Sequence, residues 1–95
     1  MDWQQALKGF KTYLRLERSL SGNTIDAYLH DVGKLTQYLQ SIGLEKNPLQ
    51  IERGDLKNFI VWVAQLGMLP HTQARVISGI KAFFKYLLLE DLITI

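Results

Sequence analysis

The sequence predicts an all-α fold, a single domain built on four main helices. Three observations predict it. Apolar residues recur at intervals of three and four nearly throughout the chain, no stretch sustains the alternation of a strand, and only two prolines interrupt 95 residues. That length suits one domain, and a composition of 47% hydrophobic, 21% charged and 11% aromatic residues supplies one core and argues against disorder.

The first helix is expected from Asp2 to Glu17. Trp3, Leu7, Phe10 and Leu14 make its stripe, Ala6 and Tyr13 widen it, and Asp2 is placed to favour its start. Arg18 to Gly22 forms a turn. The second helix runs from Asn23 to Ile42, with Ile25, Tyr28, Val32, Leu35, Leu39 and Ile42 within one face, and Gly43 supplies a left-handed stop. Leu44 to Gln50 contains Asn47-Pro48 and reads as a surface loop.

The third helix is expected from Asp55 to Leu66, burying Leu56, Phe59, Ile60, Val63 and Leu66 and ending at Gly67. Trp62 and Val61 fall outside that stripe and read as the flank of a wide core or as a contact with another chain. Met68-Leu69-Pro70 turns the corner. The fourth helix spans His71 or Thr72 to Leu89, with Val76, Ile77, Ile80, Phe83, Phe84, Leu87 and Leu88 on its apolar face. Beyond it, Leu92, Ile93 and Ile95 leave an apolar end, which suggests that the natural chain continues.

Composition narrows the chemistry. With no cysteine there is no disulfide framework, no thiolate nucleophile and no thiolate-ligated zinc, as suits a reducing cytoplasm. His30 and His71 are far apart without carboxylate clusters beside them, so neither a metal nor any other cofactor is expected. Apolar runs, Leu87-Leu88-Leu89 among them, stay far below the roughly 20 residues of a membrane span, and Met1-Asp2-Trp3-Gln4-Gln5 lacks the features of a signal peptide. No membrane association and a cytoplasmic location follow as expectations. No Gly-rich phosphate loop occurs, and no nucleophile with a base and charge stabilisers can be assembled, so this chain alone is not expected to be an enzyme.

The net charge of +2 says little, and its distribution says more. Between Gln65 and Leu89 no acidic residue occurs, while Arg75, Lys81 and Lys85 contribute positive charge. On a wheel of the fourth helix His71, Ala74, Arg75, Ser78, Gly79, Lys81, Ala82 and Lys85 lie opposite the apolar face, with Thr72 at its edge. Small residues there permit close approach, and a helix entering a DNA major groove needs a narrow surface with basic residues able to reach it. The competing reading is that Ala74, Gly79 and Ala82 are small because another helix or subunit packs on them.

The outward stripe of the second helix is Asn23, Ala27, His30, Lys34 and Ser41, with Asp26 and Asp31 offsetting Lys34. Asn23 and Thr24 fit capping and phosphate binding equally well. Lys8, Lys11 and Arg15 on the first helix extend a positive surface or form a solvated face.

The segment Leu20-Ser21-Gly22-Asn23-Thr24-Ile25-Asp26-Ala27-Tyr28, followed by Asp31 and Leu35, resembles the LS-x-NT-x-x-x-Y-x-x-D-L stretch of tyrosine recombinases, the phage-integrase group that includes the Xer proteins. The run Thr72-Gln73-Ala74-Arg75-Val76-Ile77-Ser78-Gly79-Ile80-Lys81-Ala82-Phe83-Phe84-Lys85-Tyr86-Leu87 resembles a second motif of the same N-terminal domain, at matching spacing. The resemblance covers nearly all of the chain. It implies a SAM-like core-binding domain of four main helices whose second and fourth helices face DNA, forming half of a clamp. The catalytic domain of the family, with its tyrosine nucleophile and His-x-x-Arg element, is not expected here, since neither His30 nor His71 is followed by arginine at the third position.

Carried over by position, Asn23 and Thr24 match the first motif, as does Tyr28, which is set aside for its place in the apolar stripe. Thr72, Arg75, Ser78 and Lys81 match the second. With His30, Lys34 and Lys85 from the helix wheels, these form the expected DNA-binding set. Leu29-His30 departs from the basic pair common in relatives. The expected partners are double-stranded DNA and, in the full-length protein, other recombinase subunits, with the isolated domain monomeric. Residues 1–95 are read as one domain of a site-specific recombinase acting in DNA integration or recombination, with Xer-type chromosome dimer resolution and mobile-element integration both open. The rival reading is a helical protein-interaction module.

Overall fold

In the computed structural model, which describes residues 1–93, the chain forms four α-helices and a short 3-10 helix, and no strand occurs among the described residues. Thr94 and Ile95 lie outside the described residues, and with them the part of the apolar end assigned to Ile95. Helix α1 spans Trp3–Leu16, α2 Gly22–Ser41, α3 Arg53–Gln65 and α4 Pro70–Leu89, with the 3-10 helix at Pro48–Gln50 in the connection before α3.

Local chemistry explains the boundaries. The Asp2 carboxylate accepts from Gln5 N at 2.7 Å while Asp2 N donates to the Gln5 side chain at 3.0 Å, a reciprocal box that satisfies two groups a helix start leaves open. Helix α2 starts one residue before the expected Asn23, because Ser21 caps it by accepting from Thr24 N. Helix α3 begins at Arg53 and not at Asp55, whose carboxylate reaches back to accept from Glu52 N at 2.8 Å. Pro70 opens α4, since its missing N–H and fixed φ suit the first helical position. Gly43 and Gly67 take φ values of 65° and 77°, the left-handed stops expected of them.

Helices α1, α2 and α4 surround the larger part of the core, where Phe10 and Phe83 meet edge to face at 5.3 Å and Trp3 stacks on Phe83 at 6.0 Å. Trp3 also donates its indole N–H to Lys46 O at 2.8 Å, tying α1 to the connection before α3. Helix α3 adds a second aromatic group, with Tyr38 5.8 Å from Phe59 and 5.5 Å from Trp62.

The stripes were expected to run further than they do. Ile42, expected in the core, is 51% exposed because α2 ends at Ser41 and the chain turns away there. Ile60 and Leu66 of α3 and Leu88 of α4 are exposed as well, each at the margin of a face whose centre is held by Phe59, Val63 and Leu87. Trp62 is half-buried on the core flank, whereas Val61 is exposed.

Candidate nucleic-acid interface

The expected binding residues lie on the two helices with the most extensive mutual packing, α2 and α4. Asn23, Thr24 and His30 on α2 and Arg75, Ser78, Lys81 and Lys85 on α4 are exposed, while Lys34 and Thr72 are half-buried. Ser21 does the capping at the start of α2, and its hydroxyl also donates to Thr24 Oγ1 at 3.0 Å, leaving the Asn23 side chain outside the capping bonds. At the start of α4 Gln73 donates to Met68 O at 2.8 Å, which fixes the corner below Thr72.

Three residues differ from expectation. Gly79, placed on the outward face of α4 as a residue that lets a ligand approach, is buried, and a methyl group added there would lie 2.6 Å from Asp31 Cβ and overlap its carboxylate. What approaches Gly79 closely is α2, so the packing explanation of this small residue is the correct one. Asp31, expected to offset Lys34 on the outward stripe, is buried, with 2% of its side-chain surface exposed.

The partner of Asp31 is Arg75. Nη1 lies 3.0 Å from Oδ1 and 3.2 Å from Oδ2, donating its hydrogen bond to Oδ2 and leaving Oδ1 without one. Arg75 is therefore not the free cation that the helix wheel suggested, although 49% of its side chain stays exposed. Burial raises the pKa of Asp31 above the usual carboxylate value, and the positive charges of Arg75 and His30 oppose that rise.

The sequence did carry a signal for Asp31, which lies three residues after Tyr28 and four before Leu35, on the same stripe as the core. An acid in that register requires a partner from another element, and Arg75 lies on the helix packed against it. The remaining candidates are more scattered. Lys85 borders an apolar groove between α3 and the end of α4, lined by Pro48, Ile51, Leu56, Phe84 and Leu88 among others. Lys8, Lys11 and Arg15 are exposed on α1. No group of three or more metal-ligating side chains occurs among the described residues, and no described helix is long and apolar enough to cross a membrane.

Residues 7–91 match the family model described as phage integrase, N-terminal SAM-like domain. The chain is 39% identical over 92 residues to a tyrosine recombinase XerD of Chlorobaculum tepidum, which covers 97% of this chain and 30% of that protein. It is 34% identical over 82 residues to a XerD of Listeria monocytogenes, covering 86% of this chain and 28% of the relative. A tyrosine recombinase XerC of Herpetosiphon aurantiacus is 36% identical over 87 residues, covering 88% and 27%. The chain thus spans less than a third of the length of these relatives. No solved structure matches. The helices, their order and both sequence motifs agree with the family match, and the chain belongs to the phage integrase N-terminal SAM-like domain family.

Proposed function

We propose that this chain is the DNA-binding N-terminal domain of a site-specific tyrosine recombinase, and that it holds duplex DNA with α2 and α4. The observation that carries the reading is the acid-free segment from Gln65 to Leu89, in which Arg75, Lys81 and Lys85 are exposed along α4 among the small residues Ala74 and Ser78. Such a helix offers a shallow surface, with Lys81 and Lys85 as cations for phosphates. Asn23 and Thr24 at the start of α2 add polar groups and a helix N-terminus suited to a phosphate, and His30 and Lys34 continue that helix face. Strand cleavage and joining belong to the further chain that the recombinase relatives possess, and this domain contributes binding.

The test is fluorescence anisotropy of a labelled duplex of ~30 base pairs, long enough for a clamp footprint. With about three to five phosphate contacts, the log–log dependence of affinity on salt has a slope of about −3 to −4.5, and Lys81→Ala lowers its magnitude by about one. Absence of salt-dependent binding to any duplex at low ionic strength overturns the reading.

A second reading concerns protein contact. Val61 is 53% exposed and Leu69 63% exposed, beside the exposed Ile60 and Leu66 around α3 and its C-terminal corner. That surface suits a neighbouring recombinase subunit, and an association that persists or tightens as salt rises distinguishes it from DNA binding.

A further inference from the structure

The buried Asp31 carboxylate has given up nearly all of its hydration, and only a good partner offsets that loss. A well-packed apolar pair of similar volume would join α2 to α4 about as firmly, so helix packing alone gives no reason for an acid at this position. The form of the contact supplies one. A single nitrogen of Arg75, Nη1, faces both carboxylate oxygens, at 3.0 and 3.2 Å. Nε and Nη2 donate to no acceptor among the described residues, and the side chain is half exposed. Asp31 therefore holds one corner of a flat, rigid group whose other donors remain available.

We propose, resting on the DNA-binding reading above, that Asp31 is a positioning residue which holds the Arg75 guanidinium so that it reads a guanine edge and does not serve as a phosphate cation. Phosphate contact is satisfied by a mobile positive charge, and a carboxylate 3.0 Å away would cancel much of the field that such a role needs. Reading guanine requires two donors in a fixed plane, aimed at O6 and N7, and gains from anything that removes rotamer freedom from the arginine. Gly79 completes the arrangement, since its missing side chain is what lets the Asp31 carboxylate lie against α4 beside Arg75.

The experiment selects bound duplexes from a pool of randomised sequence with the 95-residue chain, its Asp31→Asn variant and its Arg75→Lys variant. The first variant keeps the shape of the side chain and the second keeps the positive charge. The unaltered chain is expected to enrich guanine at one fixed position about tenfold. Asp31→Asn loses that enrichment while binding unselected duplex within about twofold of the original, and Arg75→Lys loses it whatever its overall affinity.

Circular dichroism establishes that each variant folds. Should Asp31→Asn fail to do so, Arg75→Lys still decides, together with the Arg75 Nε–H resonance of the unaltered chain, expected to show a guanidinium rotating more slowly than that of exposed Arg15. Guanine enrichment preserved in Arg75→Lys, or in folded Asp31→Asn, overturns the inference. Duplex binding without guanine enrichment in the unaltered chain overturns it too but leaves the DNA-binding reading standing, whereas absence of all binding removes both.

Discussion

Gly79 and Gly33 are both interior helical glycines, and their surroundings are opposite. At Gly33 an added Cβ meets nothing within 4 Å, so Gly33→Ala is expected to stabilise the protein by about 0.5–1 kcal/mol through helix propensity. At Gly79 the same change drives a methyl into the Asp31 carboxylate, and overpacking outweighs the propensity gain for a net loss of about 1–2 kcal/mol. Thermal unfolding of the two variants checks both signs. The carboxylates differ in the same way. Hydrogen bonds from Lys46 and from Glu52 N hold the pKa of Asp55 below the usual carboxylate value, so its contribution to stability is present above that value and is lost as pH falls through the depressed pKa. Asp31, raised by burial, works in reverse, its contribution being complete below the usual value and lost as pH rises through its higher folded pKa. Urea unfolding across acidic pH is expected to show a shallower acid loss for Asp55→Asn, and for Asp31→Asn the disappearance of the decline just above the ordinary carboxylate range. A helix wheel places a residue on a face without saying what lies against it, and for that reason Gly79 and Asp31 were misplaced on sequence alone.

Helix existence was legible because the periodicity of α1, α2 and α4 is long, and the left-handed Gly43 and Gly67 mark the stops of α2 and α3 chemically. The starts were read late at α2, α3 and α4, since Ser21 and Glu52 cap α2 and α3 ahead of their apolar stripes and Pro70 opens α4 as its first residue. The ends of the apolar stripes, at Ile42, Leu66 and Leu88, were overextended because periodicity continues where the neighbouring helix no longer covers it. At α1 the start was legible, and removing it has a defined effect. Asp2→Ala breaks both bonds of the capping box and is expected to cost about 1 kcal/mol, with fraying confined to the first turn in amide exchange.

One core joins all four helices, with Trp3 against Phe83 at one end and Trp62 against Tyr38 and Phe59 at the other. Fluorescence from a Trp62→Phe variant reports the first region and from Trp3→Phe the second. Relative to the circular dichroism of each variant, both probes are expected to give coincident urea transitions, as a single cooperative unit requires. The charge asymmetry of α4 was likewise visible in the sequence, whereas the neutralisation of Arg75 from α2 required knowing which helices pack together, 44 residues apart along the chain. That contact also bears on descent. An alanine at position 79 is costly while an aspartate occupies position 31, and loss of that aspartate removes the cost. Substitutions at these two sites are thus expected to arise in a restricted order, with position 31 changing before position 79, so that lineages of this domain inherit them as a linked pair.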